Sequence, residues 1–133
     1  MTGALAVIEE YFERVKKDAA SSRSLYAEDC VLHYGGRHAL SGDYRGLPSI
    51  LEMFRRSAET YGRPLSLRPF DIAASDQHVI GLLKATFAPG TPEQCSWLRV
   101  VVFRLVDGLI AEQWLLDYDP ALLADLQASA LDS

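Results

Sequence analysis

Between Ser96 and Leu105 the residues alternate so that Trp97, Arg99, Val101, Phe103 and Leu105 share one face of a strand, which sets a guanidinium among apolar neighbours. A cation turned toward a core costs several kcal/mol unless a carboxylate or a polar ligand meets it, so Arg99 points to a lined cavity more than to a plain core. Its forked donors suit a carboxylate, an enolate or a carbonyl oxygen, or a carboxylate of the protein itself. Asp117 ends a later strand whose alternation groups it with Gln113 and Leu115. It reads as an acid-base group, as a solvated carboxylate, or as the partner that neutralises Arg99. His33 can act as a general base near neutral pH without a large environmental shift, and equally can be a hydrogen-bonded structural histidine. Tyr11, a phenol on a helix stripe, can donate to a substrate oxygen or to another buried partner.

Around these polar groups Trp97, Phe103, Phe54, Tyr34 and Trp114 supply aromatic surface for a flat apolar ligand, or ordinary core and dimer packing. Val101, Gln113 and Leu115 share the strand faces of Arg99 and Asp117, and complete the expected ligand-binding set. No metal set emerges, because His33 and His38 flank a Gly-Gly turn, His78 opens a distant strand, and no His-x-x-x-His or carboxylate cluster accompanies them. Gly35-Gly36 is a turn and lacks the Gly-Lys-Ser/Thr continuation of a phosphate loop.

The elements that must hold these residues follow from periodicity. Val7, Ile8, Tyr11, Phe12 and Val15 predict an amphipathic helix from residue 3 to about 18, and Ala19 to Ala27 a second short one. Cys30 to Tyr34 reads as a strand, and Arg37 to Gly46 as a loop or short hairpin. Pro48, the stripe Ile50, Leu51, Phe54 and Ala58, and Gly62 just past Tyr61 mark a third helix. Leu65 to Ala74, His78 to Phe87, Ser96 to Val106 and Leu109 to Asp117 then form four strands in meander order. Asp119 and Pro120 open a closing helix through Gln127. Helices followed by antiparallel strands give the class α+β.

At 133 residues and 49% hydrophobic content, the chain is expected to form one domain, residues 1–133, without disulfide or metal staples. A net charge of -5 argues against a nucleic-acid surface. No apolar run approaches membrane-spanning length. The N-terminus reads as neither a signal nor a transit peptide, and Cys30 and Cys95 lie far apart, so a reducing cytoplasm is expected. The second face of the 96–106 strand, Leu98, Val100 and Val102, is also apolar, which predicts a homodimer through the sheet.

The order of elements, with Leu25-Tyr26-Ala27-Glu28-Asp29 before the first strand, Tyr44-Arg45-Gly46 before the third helix and Asp107-Gly108-Leu109-Ile110-Ala111-Glu112 entering the last strand, resembles the SnoaL-like branch of the nuclear-transport-factor-two-like superfamily. The resemblance covers nearly the whole chain. It implies a curved antiparallel sheet wrapped around N-terminal helices to form a conical pocket. By the same resemblance His33 falls where ketosteroid isomerase carries its aspartate base, Tyr11 matches that enzyme's oxyanion-binding tyrosine, and Asp117 lies where SnoaL-like cyclases place an acid-base aspartate. Val101 stands where ketosteroid isomerase has its second oxyanion donor, and where limonene epoxide hydrolase, similar around Arg99-Val100-Val101, has a catalytic acid. Steroid isomerisation and epoxide opening are therefore both incomplete here. The expectation is a cofactor-free pocket protein for an apolar, oxygen-bearing small molecule, with His33 or Asp117 as base and Tyr11 and Arg99 as oxyanion donors in isomerisation, dehydration or cyclisation. The alternative is a non-catalytic ligand-binding or dimerising module in which Arg99 and Asp117 are a buried ion pair.

Overall fold

Val7, Ile8, Tyr11 and Phe12 form the buried stripe of helix α1, Ala4–Lys17, in a computed structural model that describes residues 3–131. The next segment is a tighter 3-10 turn, Ala19–Leu25, where the sequence suggests a short helix. Serines explain the difference: Ser21 Oγ donates back to the carbonyls of Arg14 and Asp18, competing with regular helical bonding.

Strand β1 spans Tyr26–Tyr34, starting four residues earlier than apolar content alone indicates. The stretch expected to be a loop or short hairpin is a hairpin: a short edge strand, β2, Gly42–Arg45, pairs antiparallel with β1 and sets Asp43 opposite His33. Helix α2, Leu47–Tyr61, carries Pro48 in its first turn and ends on Gly62, whose φ of 65° is the left-handed cap that glycine supplies without strain. Strands β3 (Leu65–Ala74), β4 (His78–Phe87), β5 (Cys95–Val106) and β6 (Leu109–Asp117) follow as the expected antiparallel meander. Asp119 Oδ1 accepts from the Leu122 N–H at 3.2 Å and opens α3, Pro120–Leu131, which runs past Gln127 with the helix-favouring Ala128 and Ala130.

The class is α+β. Six strands lie in the order β2-β1-β6-β5-β4-β3, with β1 parallel to β6. Register shifts at Phe70, at Ala111 and between Tyr26 and Val31 bend this open sheet, since each bulge increases local twist. Its concave face receives α1 and α2, and the core lies between them, from Ile8 and Ile50 to Phe103 and Leu83. Gly81 permits the close approach of α1, because a Cβ there would stand 3.2 Å from Phe12 Cζ. Among the described residues no helix is long and apolar enough to cross a membrane.

Candidate functional site

Between α1, α2 and the concave face lies a cavity of about 460 Å³. Phe12, Val15, Met53, Phe54, Leu83, Val101 and Leu115 make its wall mostly apolar. The polar groups on it are Tyr11, Tyr34, Ser57, Tyr61, Arg63, Arg99 and Gln113, and among the described residues no carboxylate, imidazole, amine or thiol joins them. The exposed lining residues Ala58 and Gly62-Arg63-Pro64 place the mouth at the C-terminal end of α2.

Arg99 owes its position to strand register. On β5 it stands between Leu83 of β4 and Asp117 of β6. Its Nε donates to Asp117 Oδ1 at 2.8 Å, and its Nη2 donates to Tyr34 Oη at 2.7 Å and, at the limit of 3.5 Å, to Asp117 Oδ2. The guanidinium carbon sits 5.6 Å from the Tyr34 ring centre, adding a cation–π contact. Burial works against the cation, but Tyr34 and Asp117 outweigh it and hold Arg99 protonated. Asp117 Oδ1 also accepts from Trp97 Nε1 at 2.6 Å, so this carboxylate is largely committed.

Tyr11 belongs to a second network. Gln113, 1% exposed, accepts from Tyr26 Oη through Oε1 and donates from Nε2 to Tyr11 Oη at 3.3 Å. A phenol has one hydrogen, and that of Tyr26 goes to Gln113. The hydrogen of Tyr11 is then free for the Tyr26 oxygen, 3.4 Å away, or for a ligand in the cavity. Burial raises the Tyr11 pKa above its ordinary value, against the pull of Tyr26, Gln113 and Arg99, so the group stays a neutral donor at physiological pH.

Tyr34 lines the cavity as expected of its aromatic ring, and its hydroxyl and Tyr61 add polar groups beyond the expected set. Burial pushes the Tyr34 phenol well above its usual range, with Arg99 opposing and Tyr61 and Asp117 reinforcing. Tyr61 is 1% exposed, and its hydroxyl has no hydrogen-bond partner among the described residues. The sequence held a signal for Tyr61, one turn beyond Ala58 and two beyond Phe54 on the same helical stripe.

Of the expected site residues, Tyr11, Phe54, Arg99, Val101, Gln113 and Leu115 line the cavity together. Asp117 stands behind Arg99, and Trp97 is turned to Asp117. Phe103 packs edge-on against Tyr11 and Phe12, at 5.0 and 6.0 Å between ring centres, and forms core behind the wall. His33 is on the opposite face of the sheet, away from the cavity. There Nδ1 meets Asp43 Oδ1 at 2.7 Å, Nε2 meets Glu112 Oε2 at 2.6 Å, and the ring stacks on Trp114. Burial would lower its pKa, but hydrogen bonds and charge from Asp43 and Glu112 outweigh this and raise it. The reason for its placement is that Leu32 and Tyr34, paired with Gln113 and Leu115, take the concave side of β1. Among the described residues no group of three or more His, Cys, Asp and Glu side chains is arranged to hold a metal ion.

The SnoaL-like domain family matches residues 8–113. The chain belongs to this SnoaL-like family. Among curated proteins none matches this SnoaL-like domain. Solved structures do, and at these identities they speak for the fold alone. A protein of unknown function with a cystatin-like fold from Xanthomonas campestris aligns at a TM-score of 0.84 and 23% identity, covering 95% of this chain and 98% of its own. Bal32a, from a soil-derived mobile gene cassette, aligns at 0.80 and 21%, covering 92% and 95%. TerC, co-crystallised with polyporic acid, aligns at 0.81 and 14%, covering 93% and 97%.

Proposed function

We propose that this SnoaL-like domain holds an apolar, oxygen-bearing small molecule in the cavity, with the ligand's oxygen at the end formed by Tyr11, Arg99 and Gln113. The observation that carries this reading is the wall itself: apolar surface around a few convergent donors, without a carboxylate among the described residues. TerC, seen with polyporic acid, supports the same use of the fold. Tyr11 and Arg99 would polarise a carbonyl or stabilise charge developing on oxygen, as preorganised donors do in isomerisation, dehydration or aldol-type cyclisation. A base is the missing part. His33 is on the other face of the sheet and Asp117 stands behind Arg99, outside the cavity wall, so Asp117 could serve as base only through a rearrangement that frees its Oδ2 from the 3.5 Å contact to Arg99.

The test is binding of a neutral ketone fluorophore of the 2-acyl-6-aminonaphthalene type, followed by its emission shift in wild type and in Val101→Phe, which fills the cavity. Saturable binding in wild type that is lost in the filled variant is expected. Absence of binding, or binding that ignores the substitution, would remove the proposal.

The outer face of the sheet supports pairing of two copies. Ile80, Val102 and Trp114 lie in one cross-strand row and Leu82, Val100 and Leu116 in the next, and Ile80 and Leu116 are 43% and 46% exposed. The unpaired thiols of Cys30 and Cys95 support residence in a reducing compartment, the cytoplasm.

A further inference from the structure

We infer that the group this cavity selects is an acidic pair of oxygens, a carboxylate or the enolate of a 1,3-dicarbonyl, and that Tyr61 is the residue that determines the selection. The inference rests on the cavity reading above and deepens it.

Three observations converge. First, the Tyr61 hydroxyl is buried in the cavity wall beside the Tyr34 phenol, which can at most donate to it, and forms no hydrogen bond of normal geometry among the described residues, so its own hydrogen is unspent. A native fold seldom leaves a buried phenol unsatisfied, and an acceptor on a bound ligand resolves the deficit. Second, Tyr61 lies close enough to Arg99 for the two to interact electrostatically, and Arg99 uses only Nε and Nη2, so Nη1 forms no hydrogen bond among the described residues. A phenol and a guanidinium nitrogen, both donors with hydrogens unspent, call for a ligand with two acceptors and no donor. Third, the chain has 18 acidic and 13 basic residues, yet the charged residues of the wall are Arg63 and Arg99. Arg63, at the mouth, has only a 3.7 Å contact to Glu93 with both side chains exposed, which leaves its charge available to an approaching anion.

The geometry separates Tyr61 from Tyr11. Tyr11 is already tied to Gln113 and Tyr26, and serves any ligand oxygen, whereas the hydrogen of Tyr61 has no acceptor among the described residues until a ligand enters. Tyr61→Phe should therefore remove discrimination without loosening the fold, and should leave the melting temperature equal to or above that of wild type, since an unsatisfied buried group is deleted.

Three naphthalene probes of similar size distinguish the possibilities by titration calorimetry: 2-naphthoate, 1-(2-naphthyl)butane-1,3-dione and methyl 2-naphthyl ketone. One of the two acidic probes is expected to bind wild type about tenfold or more tighter than the ketone, the scale of a hydrogen bond to a charged acceptor. Which of them does so identifies carboxylate or enolate. In Tyr61→Phe the advantage is expected to fall to within about threefold. Equal binding of all three by wild type would overturn the inference while sparing the ketone-binding pocket. An acid preference that survives in Tyr61→Phe would overturn the role of Tyr61. Failure of all three to bind would overturn the pocket reading as well.

Discussion

Arg99 Nε and Asp117 Oδ1 face each other at 2.8 Å across the β5–β6 pair, with 6% and 1% of the two side chains exposed. A pair this dry is a poor source of net stability, because desolvation offsets much of the attraction, but breaking it strands a charge. Asp117→Asn is expected to destabilise the protein by about 3 to 5 kcal/mol in urea unfolding, since the guanidinium would lose its counter-ion while still buried. A change below about 1 kcal/mol would mean that Tyr34 and solvent entering the cavity can carry the charge without Asp117.

Tyr11 is held by Gln113 at 3.3 Å and carries a hydrogen that a ligand can take. Tyr11→Phe removes that donor and leaves the Gln113 amide with one acceptor fewer. The expected cost is about 0.5 to 1.5 kcal/mol of stability, together with weaker binding of every oxygen-bearing probe, neutral or acidic. Parallel calorimetry and thermal melts check both halves. An undiminished ketone affinity would place the ligand oxygen away from Tyr11.

Arg99 shows how far the sequence can be read. Alternation along β5 is local, so its face and its apolar companions were visible, and the same parity put Gln113 and Leu115 on the wall. Alternation does not say which face becomes concave. On β1, Val31 and His33 mirror Leu32 and Tyr34 in apolar content, and the choice between them is made by the parallel pairing of β1 with β6, a contact between residues roughly eighty positions apart. The resemblance alone makes His33 a base; this pairing puts it on the other face, where it takes the alternative role of a hydrogen-bonded structural histidine. Phe103 and Trp97 share the parity of Arg99, but they sit at levels of the strand where packing against α1 and the reach of Asp117 use them, and strand phase carries no information about level. Tyr61 was within reach of the helical stripe. Its lack of a partner becomes visible only once Arg99 and Tyr34 are placed beside it.

His33 predicts a pH dependence. Its folded pKa is raised above the ordinary 6.5, so its contribution is complete below that value and is lost as pH climbs through the raised pKa. Glu112 is lowered from its ordinary 4.5, mainly by His33, so its contribution is complete above 4.5 and is lost as pH falls through the lowered pKa. Both terms are therefore fully present between those two ordinary values. The melting temperature of wild type should exceed that of His33→Gln most in that window, and the gap should narrow as pH rises through the raised pKa of His33. Ligand affinity should be the same in both proteins, because His33 faces away from the cavity. A gap independent of pH would show that the imidazole acts by packing on Trp114 and not by charge.

The outer sheet face yields the last prediction. Val102 pairs with Ile80 on one side and Trp114 on the other, at the centre of an apolar row with charged neighbours Arg104 and Glu112. Two copies of this face brought together would bury Ile80 and Leu116, which now stand open to water. Val102→Asp places a charge in the middle of that contact while leaving the concave face untouched. A carboxylate surrounded by apolar surface on both copies has no partner, so its desolvation opposes association directly. Sedimentation velocity at micromolar concentration should show a dimer for wild type and a monomer for Val102→Asp, with the fluorescent ketone still binding to the monomer. A wild-type monomer would refute pairing through this face. Dissociation accompanied by loss of ketone binding would instead mean that the cavity depends on the partner for its shape.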